Sequence, residues 1–425
     1  MASRFRARLR RLLAIAVVAL GPFVAGEIAL RLAGYPPGDP YLAGFAGEKI
    51  FVRHGGFWQV PAEERRTWRA QPFAVERPAG ALRIFSVGDS VTWGFGGPRG
   101  TPLVSYSEDL QALLRERAPG RPHRVINCGA RTFGSERVAS VVHQVASLSP
   151  DAVLVYVGTS DLLEAKLHRS YERRLRDVPT WIRNARLLAW MTQVFRHLLP
   201  KPASSVAARD PGLVARFVPQ ADILDRASQR RALVERFRAN LLRMVDDCEA
   251  RHVPLVLATV PSNLRFPPFA TSFPNAHARA AGEDLIRRTG RLVASGRATQ
   301  ALALLTPAVQ AEPQAAGLHY RRAQALDLLG QTAQARLEYL AARDTDAFPI
   351  RASSAFNDAI RSIANAHPGV YLADVAAAFD QAVPDHIPDG RLFLDNCHPR
   401  AQAHRLVARV FYHALRQALG PTRVP

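Results

Sequence analysis

Cysteine and lysine are both scarce in this chain, and each shortage limits what the protein can be. The three cysteines, Cys128, Cys248 and Cys397, are too few and too widely spaced for a disulfide scaffold or a metal cluster, although a bond between Cys128 and Cys397 stays open. Lysine supplies three of the 56 basic residues, and the arginines are scattered, so the net charge of +20 reflects an arginine-rich composition. Because no dense basic block, zinc-ligand spacing or RNA-binding motif accompanies the charge, we expect no nucleic-acid partner. A basic surface still favours anionic partners.

Long uncharged runs are also rare, and the clearest one lies near the amino terminus. Five arginines within residues 4–11 precede an uncharged stretch over 12–26, and its continuation to Ala33 reaches the ~20 residues that a bilayer requires. No clean small-x-small cleavage site is present, so the pattern favours an uncleaved signal anchor over residues 1–34. A cleaved signal peptide and a buried soluble helix are the alternatives. Basic residues ahead of the run predict an inner-membrane protein of a bacterium, with its body on the periplasmic side.

The rest of the chain reads as one α/β body with additions. Residues 35–80 are rich in Pro, Gly, aromatic and charged residues and show no sustained period, which indicates a linker or cover. From Arg83 short apolar runs alternate with helical patterns, which predicts a parallel sheet covered on both faces, a three-layer α/β/α body. The predicted strands are 83–87, 124–127, 152–157, 254–260 and 370–373. The predicted helices include 107–118, 136–148 and 230–251.

A repeat interrupts this alternation. Gly296, Ala301, Leu305 and Ala308 recur 34 residues later as Gly330, Ala335, Tyr339 and Ala342. Thirty-four residues is the tetratricopeptide period, and the alternative is chance similarity between alanine-rich helices. Two such units cannot bury a continuous core alone, so they must pack on the body as an α-helical hairpin pair. We therefore predict an insertion over 280–343 between body segments 81–279 and 344–425.

Two motifs carry chemistry. The segment Gly88-Asp89-Ser90 ends the first predicted strand, where a serine can present its hydroxyl to a cleft and its N–H to an oxyanion. Near the other end, Asp395 and His398 are three residues apart, so the carboxylate can orient an imidazole that takes the proton of a serine. The alternatives are helix caps, a structural histidine or a metal pair. His404, on the last predicted helix, is expected to be exposed or capping.

Two further strands end in residues suited to an oxyanion hole. Asn127-Cys128-Gly129 ends the second strand, and Gly158-Thr159-Ser160-Asp161 follows the third. Both tips are expected at the same edge of the sheet as Ser90, and the backbone N–H of Gly129 is the natural second donor.

Together, in this order, these four motifs resemble those of the SGNH/GDSL hydrolases, over about residues 82–411 apart from the helical insertion. The resemblance is to a bacterial branch that combines a membrane segment, a hydrolase domain and tetratricopeptide-like helices. It implies a flavodoxin-like parallel sheet, Ser90 as nucleophile, His398 as general base, Asp395 as its orienting carboxylate, and Ser90 and Gly129 as oxyanion donors. The family places an asparagine where this chain has Ser160, so the hole is either weaker or completed by Asn127 or Asn263.

The resemblance also implies a function without metal or organic cofactor. We expect a serine esterase for O-acyl esters, acetyl above all, of cell-envelope carbohydrate. An O-acyltransferase with the same triad and a non-catalytic binding or scaffold module are the alternatives. Trp93 is expected either to line the substrate pocket or to pack in the core. The helical insertion is the expected site for a protein partner.

Overall fold

A computed structural model describes residues 21–33, 50–61, 68–97, 104–165, 185–187, 190–191, 224 and 226–425. The chain divides into two compact units, one formed by Met1–Lys49 with Leu167–Val206 and the other by Ile50–Lys166 with Ala207–Pro425. The strands are β1 Val52–His54, β2 Phe57–Gln59, β3 Phe73–Ala74, β4 Leu82–Gly88, β5 His123–Gly129, β6 Ala152–Tyr156, β7 Leu255–Ala258 and β8 Val370–Ala373. The helices are α1 Ser90–Trp93, α2 Tyr106–Arg117, α3 Ser135–Ala146, α4 Ala227–Glu249, α5 Ala276–Ala294, α6 Ala298–Ala311, α7 Ala316–Leu328, α8 Thr332–Asp344, α9 Ser354–Ala366, α10 Val375–Gln381 and α11 Ala401–Leu419.

The larger unit is built on a five-stranded parallel sheet in the order β5-β4-β6-β7-β8. This is the flavodoxin-like order, in which the first strand has its two neighbours on opposite sides. All residues of β4 and β6 are buried, as expected for central strands whose two faces are both covered. The α/β class and the parallel sheet predicted from the sequence are therefore confirmed.

Two groups of helices cover the sheet. The first contains α2 and α11, and the second contains α3, α4 and α9. Helix α2 begins with a capping box in which Ser105 and Glu108 satisfy each other's free N–H groups, and Tyr106 stacks on Phe411 of α11 at 5.0 Å between ring centres. Helix α2 follows Ser90 in the chain, and α11 follows the Asp395 motif. The contact between the two helices therefore holds these distant parts of the sequence together.

The segment predicted as an irregular linker contains a small sheet of its own. Strands β1, β2 and β3 pair antiparallel in that order, and Gly55-Gly56 forms a two-residue hairpin turn between β1 and β2. Trp68 forms an isolated bridge with Ala130, just beyond β5. These strands have only two or three residues each, which is too short for an alternating pattern to stand out in the sequence.

Between β7 and α9 the chain forms two helical hairpins, α5–α6 and α7–α8. Gly296 and Gly330, which are 34 residues apart, each adopt a left-handed φ, +75° and +72°, at the turn between the paired helices. Their repeated partners Ala301 and Ala335 are fully buried. The second hairpin shares a small core with Leu264 and Ile387 of the α/β body, so it packs on that body. That these helices are related to tetratricopeptide repeats stays a prediction.

The smaller unit is described only in part, and most of the predicted anchor, residues 1–20 and 34, lies outside the described residues. Residues 21–32 form a helix in which Glu27 pairs with Arg31 at 2.9 Å and accepts a hydrogen bond from the Leu187 N–H at 2.9 Å. Phe23, Val24, Ile28 and Leu32 of this helix are each more than half exposed. Within the part of the chain that the structure describes, no helix is both long and apolar enough to cross a membrane.

Candidate active site

Ser90 lies at the point where the order of the sheet reverses. It is the first residue of α1, directly after β4, whose neighbours β5 and β6 lie on its two sides. Ligands of such sheets bind just beyond the carboxyl ends of the strands at this reversal. The side chain of Asp89 caps α1 by accepting the Val91 N–H at 2.9 Å, and it also accepts the Thr159 hydroxyl at 2.7 Å. Asp89 thereby fixes the turn that presents Ser90 and ties it to the loop after β6.

Asp395 and His398 reach Ser90 from a tight turn near the end of the chain. Phe393 and Pro399 form an antiparallel bridge, and the Leu394 N–H donates to the His398 carbonyl at 2.8 Å. We call residues 392–400 the histidine turn. His398 Nε2 lies 2.8 Å from the Ser90 hydroxyl, and its Nδ1 lies 2.6 Å from Asp395 Oδ2. The sequence motifs that are 308 residues apart therefore form one continuous chain of hydrogen bonds.

The surroundings of Asp395 favour its charged form. Burial alone would raise the pKa of this carboxyl group, but the hydrogen bond and charge of His398 and the N–H groups of Cys397 and His398 outweigh it and hold the pKa below its usual value. Those two N–H groups donate to Oδ1 at 2.9 and 2.8 Å, which leaves Oδ2 for the imidazole. An ionised Asp395 fixes His398 in the tautomer whose Nε2 can accept the serine proton.

One of the two predicted backbone oxyanion donors already has an acceptor in the structure. The Ser90 N–H, at the start of α1, has no acceptor among the described residues and is available. The Gly129 N–H instead donates to the side-chain oxygen of Asn127 at 2.9 Å, so it is not a free donor. Gly129 has a different role: a β-carbon there would lie 2.2 Å from the Trp93 backbone nitrogen, so the residue permits α1 to pack on β5. Ser160 is buried, 6% exposed, next to Thr159, which contacts Asp89.

The two asparagines predicted to assist have structural partners. Asn127 donates to the Thr92 carbonyl at 2.7 Å and to the Ser105 hydroxyl at 3.0 Å, and its oxygen is occupied by Gly129, so its amide is not available to substrate. Asn263 donates its amide to the Asp395 carbonyl at 2.9 Å, and its backbone N–H donates to the Asn396 carbonyl at 3.0 Å. Asn263 thus holds the histidine turn in place rather than pointing a free amide at substrate.

Two aromatic residues, one at the end of α1 and one just after it, form one wall of the site together with an arginine to which no sequence motif pointed. The Phe95 ring lies 4.5 Å from the His398 ring, centre to centre. Trp93 is buried, 8% exposed, and its ring faces Arg131. The Arg131 guanidinium lies 5.0 Å from the Phe95 ring centre and 5.5 Å from that of Trp93. Thr132 beside it has a φ of +62°, an uncommon conformation for a β-branched residue, which marks the loop as constrained.

The remaining predictions concern cysteines, a metal pair and His404. All three cysteines are free and buried, so Cys128 and Cys397 are not bonded to each other. Asp395, Cys397 and His398 offer possible ligand atoms within 4.8 Å, but both ring nitrogens of His398 are engaged by Ser90 and Asp395, as expected for a base. Of the two alternatives for His404, exposure is wrong, because the residue is fully buried and burial lowers its pKa to about 4. It does cap a helix, since it accepts the N–H of Tyr106, the first residue of α2, at 3.2 Å.

Solved structures of low similarity match most of the chain. An α/β-hydrolase enzyme from the metagenome of Lake Arreo, Spain, is 17% identical, with 81% of this chain and 99% of that chain covered and a TM-score of 0.36. An acetylxylan esterase from Geobacillus stearothermophilus is 15% identical, with 81% and 96% covered and a TM-score of 0.36. With TM-scores this low, neither structure bears on the substrate of this chain. No curated protein matches the sequence.

A family comparison is more informative. The sequence model of the GDSL-like lipase/acylhydrolase family matches residues 84–411, which include Ser90, Asp395 and His398 as well as the helical insertion. The match spans more than half of the chain and runs from β4 into α11, the part that contains the whole parallel sheet. The chain therefore belongs to the GDSL-like lipase/acylhydrolase family, and it is a serine ester hydrolase.

Proposed function

We propose that Ser90, His398 and Asp395 form the catalytic triad of this hydrolase. His398 Nε2 takes the proton of the Ser90 hydroxyl as the serine oxygen attacks the ester carbonyl. The tetrahedral intermediate then expels the alcohol, which receives that proton from His398, and leaves an acyl group on Ser90. A water molecule, activated by the same base, releases the acid and restores the serine.

The observation that carries this proposal is the unbroken chain from Ser90 through His398 to Asp395, with distances of 2.8 and 2.6 Å. The supports around it are rigid. Asp89 and Thr159 fix the serine turn, and Asn263 fixes the histidine turn. For the developing oxyanion we propose the Ser90 N–H and the Ser160 hydroxyl as donors, each of which would supply about 3 kcal/mol if it meets the oxyanion directly.

As substrates we propose O-acyl esters, acetyl above all, of cell-envelope carbohydrate. The support is the amino-terminal pattern of arginines followed by an uncharged run, which is typical of export to the periplasm with a membrane anchor. The exposed apolar side chains of the helix over 21–32 are in keeping with such a location. For the tetratricopeptide-like helices we propose a protein partner, and the exposed Leu328, Leu329 and Leu337 are surface that it could cover.

The test is hydrolysis of 4-nitrophenyl acetate by the full-length chain in detergent, beside Ser90→Ala and His398→Ala. We expect both variants to lose at least three orders of magnitude in kcat, because each removes a member of the triad. A serine-directed phosphonate should label the parent and His398→Ala at different rates and leave Ser90→Ala unlabelled. A parent that neither turns over esters nor takes up the phosphonate would make a binding module the better interpretation. Product analysis with a glycan acceptor separates hydrolysis from acyl transfer.

A further inference from the structure

Arg131 lies near the Ser90–His398 pair and has no carboxylate partner among the described residues. Its guanidinium lies 5.0 Å from the Phe95 ring centre, and that ring lies 4.5 Å from the His398 ring centre, so the guanidinium is within about 9.5 Å of His398. No carboxylate among the described residues forms an ion pair with it, and no described group accepts a hydrogen bond from it. Burial is the cause that lowers the pKa of Arg131, with no acidic neighbour to oppose it.

Several other arginines that this fold takes out of water pair with carboxylates, and Arg83, which does not, donates to the backbone carbonyls of Leu148 and Ala74, each at 2.8 Å. Arg137 pairs with Glu164, and Arg351 with Asp346 at 3.4 Å. Arg265 pairs with three aspartates at 2.7 to 3.0 Å. The faces of Phe95 and Trp93 attract the Arg131 cation, but ring faces are far weaker acceptors than oxygen for the five N–H groups that a guanidinium can donate. An unpaired and partly desolvated arginine is costly, and its fork matches the two oxygens of a carboxylate or phosphate.

The loop that carries Arg131 is held on both sides. Ahead of it, the Ala130 N–H donates to the Gly88 carbonyl at 3.0 Å, and Ala130 is bridged to Trp68. After it, the Thr132 carbonyl accepts a hydrogen bond from Arg137, which is itself fixed by Glu164. The guanidinium is therefore presented at the edge of the site by a constrained backbone, as a preorganised binding group requires.

We propose that Arg131 binds an anionic oxygen group, a carboxylate or a phosphate, that the ester substrate carries beside the bond to be cleaved. This inference rests on the proposed function, because it assigns the substrate class of the same site. Arg131 then selects acylated acidic molecules, such as uronate-containing glycans or phosphate-bearing esters, over neutral ones. Phe95 and Trp93 form the wall along which the group between ester and anion lies.

The test compares matched esters. In 4-acetoxybenzoate a carboxylate lies across a benzene ring from the acetyl ester, methyl 4-acetoxybenzoate is the neutral counterpart, and 4-acetoxyphenyl phosphate carries the other anion. The measured quantity is the ratio of kcat/KM for the anionic ester to kcat/KM for the neutral one. Dividing the ratio of the parent by that of a variant cancels the intrinsic reactivity of each ester.

We expect Arg131→Gln to lower this ratio roughly tenfold to a hundredfold, the effect of losing a charge-assisted hydrogen bond. Arg131→Lys should restore part of it, since the charge remains without the fork. Arg336→Gln, which removes an arginine of the helical insertion, should leave the ratio at the value of the parent. The anion whose ratio depends more strongly on Arg131 identifies the carboxylate or the phosphate as the natural group.

Two results overturn the inference while the esterase stands: a parent that hydrolyses the neutral ester but shows no dependence of the ratio on residue 131, or an Arg131→Gln variant that loses both esters equally. The second result would show that Arg131 supports the site structurally. A parent that hydrolyses none of the esters and resists phosphonate labelling overturns the proposed function itself, and this inference with it.

Discussion

The replacement of Gly129 by alanine tests how Ser90, the proposed nucleophile, is held. A methyl group there would lie 2.2 Å from the Trp93 nitrogen, 2.5 Å from the Thr92 carbonyl carbon and 2.8 Å from the Trp93 α-carbon. All three are backbone atoms of α1, so no side chain can rotate away, and α1 must separate from β5. Overpacking of this kind typically lowers the free energy of unfolding by about 1–3 kcal/mol. Alanine also restricts the unfolded chain more than glycine does, which raises the free energy of unfolding by about 0.4–1 kcal/mol. We expect Gly129→Ala to lower the free energy of unfolding by about 1–2 kcal/mol.

The same displacement should reduce catalysis, because Ser90 is the first residue of the helix that moves. A shift of about 1 Å in a catalytic group costs on the order of a hundredfold in rate. The assay is urea unfolding followed by circular dichroism, together with kcat for 4-nitrophenyl acetate under conditions where the variant is folded. Gly120→Ala is the matched control, since a β-carbon there meets no atom within 4 Å. Equal urea midpoints for the two variants would refute the close-packing argument.

Three further predictions follow from the polar contacts. Asp395→Asn should lower kcat about 10⁴-fold, because an amide no longer fixes the tautomer and charge of His398; Asp284→Asn, at an exposed helix position, should not. Burial raises the pKa of Asp161 to about 7. Between about pH 4 and 7 this carboxyl group is therefore ionised in the unfolded chain but protonated in the folded one, so it lowers the stability of the fold progressively as the pH rises. Asp161→Asn should gain stability relative to the parent over that range, as measured by urea unfolding. Arg265→Gln should cost about 1–3 kcal/mol in the same assay, because Asp327, Asp385 and Asp389 lose their shared partner.

Each of these has a result that would contradict it. Full activity of Asp395→Asn would mean that His398 is oriented by other groups. A pH-independent stability difference for Asp161→Asn would mean that Asp161 is charged throughout the range. Arg287→Gln is the control for Arg265→Gln, since the ion pair of Arg287 with Asp284 is exposed and should contribute little to stability. Equal losses of stability in the two variants would mean that the Arg265 ion pairs contribute no more than a surface pair.

The strands of the sheet could be predicted because their signal is local. The predicted span 370–373 coincides with β8, and 124–127 lies inside β5, whose ends are extended by the parallel partner β4. The positions of Ser90 and His398 followed from motifs at strand ends and from the rule that parallel strands end at one edge. The family match then confirmed the class of enzyme.

The differences between the expectations and the structure came from contacts that residue spacing alone did not reveal, although some of these contacts had a signal in the sequence. The Asn127 side chain accepts the N–H of the residue two positions later, a local turn that competes for the Gly129 donor. His404 shares a helical face with Val407 and Phe411, a spacing of three and seven residues that predicts burial. Arg131 had no such signal in the sequence, because it is one of many scattered arginines. Only the structure sets it apart, by the two aromatic rings beside it and the lack of a carboxylate partner among the described residues.

The separation of 308 residues between Ser90 and His398 has a consequence for how the enzyme becomes active. Contacts that close so long a loop form late in folding, after the local helices and the early strands. During synthesis from the amino terminus, Ser90, the proposed nucleophile, is made long before His398, its proposed base. A chain that stops before residue 398 thus contains the proposed nucleophile without its proposed base, and we expect hydrolysis only when nearly the whole chain has been made and folded.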